Sequence, residues 1–301
     1  MTDVVLDCDP GHDDVFAMLL AAAHPAVRLR AITTVAGNGP LGQVTRNALR
    51  ICALAGIDVP VAAGLSQRGT GNAPSIHGES ALDGADLPEP ADVPADEDAV
   101  SLTERLLDEG PLTIIATGPL TNVAALLRRR PDLRPSIVFM GGSCGRGNWR
   151  PLAEFNVWAD PEAADVVLTS GLPVTMCGLD VTHQATATPD VFDRLREMAT
   201  PLAGTLADLL RFFASTYDEV FGMPDPPVHD PVAVAAVAEP GLLTMVDAPV
   251  AVELTGTHTR GATVVDLHGV TGKPANARIA VGLDRVRFWD VLLSAVERLG
   301  R

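Results

Sequence analysis

A single lysine, Lys273, occurs in a chain of 301 residues, and 38 acids outnumber 22 basic residues to give a formal net charge of −16. A surface of that sign repels nucleic-acid polymers and anionic membranes, so neither is expected as a partner. Phosphate-cradling motifs are also missing: there is no G-x-x-x-x-G-K-[ST], and no G-x-G-x-x-G sits between a strand and a helix. The one basic run, Arg128-Arg129-Arg130, falls where a helix should end, and there it complements the helix dipole. The four cysteines, Cys8, Cys52, Cys144 and Cys177, are far apart and include no C-x-x-C. That excludes a zinc ribbon or a disulfide framework and predicts a reducing, cytoplasmic setting. Long apolar runs are absent as well. The longest, Val15 to Ala23, is too short to span a bilayer, and the opening MTDVVLDCD has neither the basic nor the apolar region of a signal peptide.

What remains suits a globular enzyme for a small, uncharged substrate. Hydrophobic residues make up 47% of the chain, enough for a large core. Apolar, β-rich runs at 4–7, 29–35, 61–63, 112–116, 137–140, 174–177, 250–254 and 263–267 alternate with helical patterns. The helices are expected at 13–23, 41–55, 99–109, 120–129, 161–169, 189–198, 201–221, 231–238 and 284–299. Continuous apolar strands between amphipathic helices predict an α/β fold: one open, mostly parallel, doubly wound sheet covered by helices on both faces. With no repeat and no long linker, residues 1–301 are expected to form one catalytic domain. Residues 66–80, rich in Gly and polar side chains, and 222–228, with three prolines, are expected to be mobile segments near a site.

Ligands in such sheets bind beyond the carboxyl ends of the strands. The first strand runs into Asp7-Cys8-Asp9-Pro10-Gly11-His12-Asp13-Asp14, four carboxylates in eight residues. Acids this dense repel one another unless a cation lies among them, and oxygen ligands select a hard divalent ion. Pro at the fourth and Gly at the fifth position of the run rule out an EF-hand loop. Helix N-terminal preference accounts for Asp13 or Asp14 but not for the whole set. Asp7 is expected to orient its neighbours. A second acidic motif, Val228-His229-Asp230-Pro231, reads either as an ordinary helix start or as a metal ligand beside an imidazole. Between the two lie TTVAGN (33–38), ATGPLTN (116–122), Asn148-Trp149 and Glu154-Phe155-Asn156, whose polar groups suit either turns or the grip of sugar hydroxyls.

Together these segments, with IHGES (76–80), MGG (140–142), AEFN (153–156), DPEAA (160–164), GLDVTHQA (178–185) and HDPVA (229–233), resemble the inosine-uridine-preferring nucleoside hydrolase family. The resemblance runs in the family's order over most of the chain. It implies hydrolysis of the N-glycosidic bond of ribonucleosides, in nucleoside salvage or catabolism, by a homodimer or homotetramer. It further implies a Ca²⁺ ion held by the carboxylates of Asp9, Asp14 and Asp230 and the carbonyl of Thr117, with Asp9 as the general base toward water. Asp13, Asn38, Asn148, Glu154 and Asn156 would bind ribose hydroxyls, and Met140 would line the sugar pocket. His77 and His229 would lie near the base, His229 being the candidate acid for purine leaving groups. Two histidines at the base, rather than a tryptophan sandwich, imply a base-nonspecific or pyrimidine-accepting enzyme. Trp149, Trp158 and Trp289 are expected to pack near the sheet, and the remaining histidines, His12 among them, to be structural or exposed. Two other readings stand beside this one: a nucleoside- or ribose-binding protein without turnover, and an aspartyl-nucleophile phosphatase built on Asp7-Cys8-Asp9.

Overall fold

The computed structural model describes residues 1–66, 73–90 and 92–301. Eight strands form the main sheet: β1 (Thr2–Cys8), β2 (Val27–Thr34), β3 (Val61–Ala63), β4 (Thr113–Ala116), β5 (Ser136–Met140), β6 (Val174–Cys177), β7 (Leu243–Ala248) and β10 (Ala277–Leu283). Two more, β8 (Val250–Val252) and β9 (Thr263–Val265), pair only with each other. The helices are α1 (His12–Ala23), α2 (Leu41–Ala55), α3 (Pro74–His77), α4 (Ala99–Glu109), α5 (Thr121–Arg129), α6 (Phe155–Ala159), α7 (Pro161–Leu168), α8 (Leu179–Thr182), α9 (Pro189–Glu197), α10 (Pro201–Phe221), α11 (Pro231–Ala238) and α12 (Arg285–Leu299).

The main sheet runs β3-β2-β1-β4-β5-β6-β10-β7, parallel except for the edge pair β10/β7. This is the open α/β sheet expected, with one antiparallel edge strand. The chain leaves β1 toward β2 on one side and later returns to β4 on the other. The order therefore reverses at β1, and a crevice opens beyond the carboxyl ends of β1 and β4. Cys8 and Ala116, the last residues of those strands, lead directly into Asp9 and Thr117.

Helix character follows burial. Residues His12–Ala21 of α1 are all buried, and α11 is apolar on every side; the two pack together inside the protein. Helix α10 is amphipathic: Leu202, Leu206, Leu209, Phe213 and Tyr217 share its buried face. Thr200 caps its N-terminus, Pro201 takes the first turn, and Gly222 closes it in a left-handed conformation at φ 67°.

Two strands differ from the sequence expectation. The runs at 250–254 and 263–267 were expected in the main sheet, but Pro249 follows β7, lacks an N–H, and lets the chain peel away as the β8/β9 ribbon. Their places at the sheet edge go to β7 and β10. Residues 67–72 of the segment 66–80 lie outside the described residues, and 74–77 form α3. The segment 222–228 is tied down: Ala187 N–H donates to Pro226 O at 2.9 Å and Val228 N–H to Ala185 O at 3.1 Å.

Candidate active site

Asp9, Asp13, Asp14 and Asp230 come together, all buried. Asp13 and Asp14 lie in the first turn of α1, and Asp230 immediately precedes α11, so the packing of these two helices joins acids more than two hundred residues apart. Carboxylate oxygens of Asp13, Asp14 and Asp230 all lie within 4.8 Å of one another. Asp9 approaches from β1. Its Oδ2 accepts the Asn38 N–H at 2.6 Å, and its Oδ1 is buried without a partner.

The neighbouring glycines explain how Asp9 fits. A Cβ on Gly37 would fall 2.0 Å from Asp9 Oδ2, and one on Gly118 would fall 2.7 Å from Oδ1. The loops after β2 and β4 thus close on the Asp9 carboxylate from two sides, which only a residue without a side chain allows. Asp7, near the end of β1, orients its neighbours, as expected. Its Oδ1 accepts from Thr33 Oγ1 at 2.6 Å and Asn122 Nδ2 at 2.8 Å, and its backbone carbonyl accepts the Thr117 N–H at 2.8 Å. It ties β2, α5 and the loop after β4 together and does not line the cleft.

Electrostatics set this cluster apart. Burial, reinforced by the charge of Asp14, holds the Asp9 carboxyl well above its usual range. Burial and the same neighbour push Asp13 up to about 7. Burial also raises Asp14, and burial with the charges of Asp13 and Asp14 raises Asp230. Among the described residues no Arg, Lys or His forms an ion pair with any of the four. Four buried carboxylates and an orphaned oxygen fit a hard, oxygen-seeking divalent cation.

Around the acids stands a ring of directed polar groups. Asn38 Nδ2 reaches Asp9 O at 3.2 Å and Asp14 Oδ2 at 3.3 Å. The Thr117 hydroxyl donates to Asp14 Oδ1 at 2.8 Å. Asn156 Nδ2 donates to the carbonyls of Thr117 (2.7 Å) and Met140 (3.1 Å), so its amide oxygen is left to accept. Asn148 Oδ1 accepts the Phe155 N–H at 3.0 Å, which leaves its amino group to donate. Glu154 caps α6: its oxygens accept the N–H groups of Asn156 (2.8 Å), Val157 (3.1 Å) and Gly142 (2.8 Å), and burial lifts its carboxyl to about 7.

Asp13, Asn38, His77, Thr117, Met140, Asn148, Glu154, Asn156, His229 and Asp230 all line one cleft. Asp9 and Asp14 form its floor through Asn38, Thr117 and Asp230. Every residue to which the resemblance assigns a metal, catalytic or substrate role therefore lines this cleft or hydrogen-bonds to residues that do.

The cleft also holds residues that sequence reasoning missed. Phe213, Tyr217 and Phe221, spaced one helical turn apart on α10, supply one wall together with Ile76. Trp149, expected to pack near the sheet, also lines the cleft, packed on Phe155 and Trp158 with ring centroids 5.1 and 5.6 Å away, whereas Trp289 sits in the core as expected. His229 is the second surprise. Its Nδ1 lies 2.8 Å from the Thr182 hydroxyl and its Nε2 2.6 Å from the Tyr217 hydroxyl, so both ring nitrogens are already engaged. Burial holds this imidazole well below its usual pKa, and holds the Tyr217 phenol well above. The ring is neutral and the phenol keeps its proton.

A cleft at the switch point of a parallel sheet, floored by carboxylates from both ends of the chain, is matched over its full length by known proteins. The sequence profile described as inosine-uridine preferring nucleoside hydrolase matches residues 4–290. The chain belongs to that family. It is 44% identical over 308 residues to the pyrimidine-specific ribonucleoside hydrolase RihA of Shewanella woodyi, covering 99% of both chains. It is 46% identical over 299 residues to the RihA of an Escherichia coli strain, covering 96% of each. A purine-preferring ribonucleoside hydrolase from Gardnerella vaginalis superposes with a TM-score of 0.92 at 32% identity, over 99% of both chains. Membership makes the protein a ribonucleoside hydrolase. It also disfavours the phosphatase and the turnover-free binding protein, and the phosphatase fails on geometry too, since Asp7 is sealed away from the cleft.

Proposed function

We propose that the cleft hydrolyses ribonucleosides that include pyrimidines, with a single Ca²⁺ held by Asp9, Asp14, Asp230 and the Thr117 carbonyl. The observation that carries this reading is the convergence of Asp14 and Asp230 in one knot of carboxylates beside the partnerless Asp9 Oδ1. When bound, the ion would supply a template for a sugar diol and an acidified water.

The chain's own residues do the rest. Asp9, fixed by the Asn38 N–H, takes the proton of the attacking water through its free oxygen; a positioned base contributes about 10²–10⁴-fold. Asp13, Asn38, Asn148, Glu154 and Asn156 bind ribose hydroxyls, with Met140 against the ring. Breaking the N-glycosidic bond builds positive charge on the sugar, and a site whose carboxylates outweigh one divalent ion stabilises that charge in place. At the other end, the neutral His229 accepts a hydrogen bond from the Thr182 hydroxyl on Nδ1 and donates Nε2–H to the Tyr217 oxygen, which frees the phenol O–H to meet the leaving base. His229 therefore acts on the leaving group through Tyr217. Purines and pyrimidines both reach this hydroxyl across a wall of Phe213, Phe221 and His77, without a tryptophan on each side of the base. The pyrimidine specificity named for the RihA relatives supports the pyrimidine side.

We further propose one catalytic domain spanning residues 1–301, assembled as a homodimer or homotetramer in the cytoplasm and without nucleic-acid or membrane partners. Among the described residues no helix is long and apolar enough to cross a membrane. The test is ribose release from uridine, cytidine and inosine, with calcium and after chelation. Calcium-dependent release with uridine among the substrates is expected. Turnover that survives full chelation, or activity confined to purine nucleosides, refutes the proposal.

A further inference from the structure

The β8/β9 ribbon leaves the main sheet, yet it touches the frame of the cleft at two points. At the first, Thr263 on β9 grips Ser143, on the loop after β5. Its Oγ1 accepts the Ser143 N–H at 2.8 Å and donates to the Ser143 carbonyl at 2.6 Å. Both residues are buried, and among the described residues neither backbone group of Ser143 has another partner. At the second point, Gly261 packs on α6: a Cβ there would fall 2.9 Å from the Trp158 Cα. Trp158 in turn packs on Trp149, which lines the cleft.

Both points bear on Glu154. Gly142, the residue before Ser143, donates its N–H to Glu154 Oε2 at 2.8 Å, and Glu154 caps α6, the helix that carries Trp158. The N–H groups of Asn156 and Val157 also hold the carboxylate, but they belong to its own helix and move with it. The Gly142 N–H therefore ties Glu154 to the neighbouring loop. Gly142 is left-handed at φ 73°, and a Cβ on it would lie 2.9 Å from Thr263 Cγ2, so the threonine packs directly against the residue that holds the carboxylate. The loop's other anchors come from around α8: the Leu179 N–H on the Gly142 carbonyl at 2.9 Å, and Asp180 Oδ2, which accepts the Cys144 N–H at 2.6 Å.

We infer that Thr263 is a positioning residue for ribose binding, which fixes the Glu154 carboxylate in the cleft through Ser143 and Gly142. Only a hydroxyl can accept from an N–H and donate to a carbonyl of the same residue, and the β-branched threonine also suits a strand. Without that hydroxyl, two buried backbone groups of the loop lose their partner, and the hold on Glu154 loosens. The inference rests on the proposed assignment of Glu154 to the ribose, but its test does not depend on turnover.

The test is binding of pseudouridine, a ribonucleoside whose C-glycosidic bond is not cleaved, to calcium-loaded protein by calorimetry. Thr263→Val should weaken binding about tenfold, the worth of one neutral hydrogen bond at the sugar, and Thr263→Ser should restore it. Glu154→Gln should weaken binding as well, and the double variant should bind no more weakly than Glu154→Gln alone, because two residues that act through one contact are not additive. Unchanged affinity in Thr263→Val overturns the inference, as do multiplied losses in the double variant or a parent that binds no pseudouridine. A parent that shows the expected pattern but releases no ribose from uridine loses the hydrolase reading and keeps this one. Should Thr263→Val fail to fold, Thr263→Cys, whose thiol hydrogen-bonds weakly, carries the same comparison with a smaller loss.

Discussion

Replacing Tyr217 by Phe removes one oxygen from the wall of the cleft and isolates two effects. Tyr217 is the only tyrosine of the chain, and its hydroxyl is 2.6 Å from His229 Nε2. Without it, a buried imidazole nitrogen loses its partner, which costs about 1–3 kcal/mol of stability. The aromatic contacts with Phe213 and Phe221, at 4.7 and 4.9 Å, survive, so the fold and the cleft wall remain. Turnover should fall further than stability. If the phenol delivers the proton to the departing base, kcat on uridine drops by about 10²–10⁴-fold. A 4-nitrophenyl riboside departs as a stable phenolate and needs no such proton, so its hydrolysis should fall far less. The assay is kcat and kcat/KM on uridine, inosine and the nitrophenyl riboside, alongside thermal unfolding. Equal losses on all three substrates would show that the hydroxyl shapes the pocket rather than donating, and unchanged uridine turnover would remove the Tyr217–His229 pair from the mechanism.

Asp9→Asn should abolish detectable ribose release while leaving a folded protein, and retained turnover would assign the base elsewhere. Gly37→Ala forces a methyl group to 2.0 Å from Asp9 Oδ2. Its activity should fall at least about 100-fold, as a displaced catalytic group does, while circular dichroism stays unchanged. 2′-Deoxyuridine should be a poorer substrate than uridine by about 10⁴-fold in kcat/KM, because a missing hydroxyl leaves buried polar groups unpaired; near-equal rates would contradict the assigned ribose contacts. Cation removal gives a pH test with a definite sign. Asp13 and Glu154 sit near 7 in the fold and near 4 when unfolded, so the cation-free native state holds the extra protons. Their stabilisation is complete below pH 4 and is lost as pH rises to 7. Below pH 6.5 the buried, neutral His12, His77 and His229 pull the other way, so the clean window lies above it: the melting temperature of chelated protein should fall from pH 6.5 to pH 7.5, and calcium should restore it most at the upper end. A chelated protein that grows more stable over that range would refute the assigned shifts.

The acids were legible in the sequence because their density is expensive without a cation, whatever the fold. The sheet was legible because buried parallel strands are written as unbroken apolar runs such as Val4–Leu6 and Ile137–Phe139. The α10 wall was not. Phe213, Tyr217 and Phe221 recur at helical spacing, and an aromatic stripe at that spacing reads as core until another element leaves a gap opposite it. The available signal was position: the stripe ends just before Gly222 and leads through a Pro-rich stretch into His229-Asp230. Thr263 was passed over for a similar reason, since its partner Ser143 lies 120 residues away, in a segment that local pattern does not bring near it. The strand β10 went unrecognised because Arg278 interrupts its apolar run at a position that faces solvent on the sheet's last parallel strand.

The same geometry bears on why so acidic a floor folds at all. Buried carboxylates lacking cationic side chains should be intolerable, yet two helices begin at this point. Asp13 and Asp14 occupy the first turn of α1, where Asp14 Oδ2 accepts the Gly11 N–H at 2.9 Å, and Asp230 precedes the first turn of α11, whose Pro231 has no N–H to orphan. The His229 N–H, at the same helix start, points to Asp13 Oδ2 at 3.3 Å. Helix N-termini carry about half a positive charge each, so the packing of α1 on α11 directs two of them at the cluster. That offsets part of the repulsion and leaves a remainder suited to a divalent ion. The fold thus stabilises the carboxylate floor incompletely, and under the proposed function that deficit becomes affinity for a cation. Neutralising Asp230 as Asn should accordingly raise the melting temperature of chelated protein while abolishing the stabilisation that calcium gives. A variant less stable than the parent under chelation would show that Asp230 holds the two helices together and is not a source of strain.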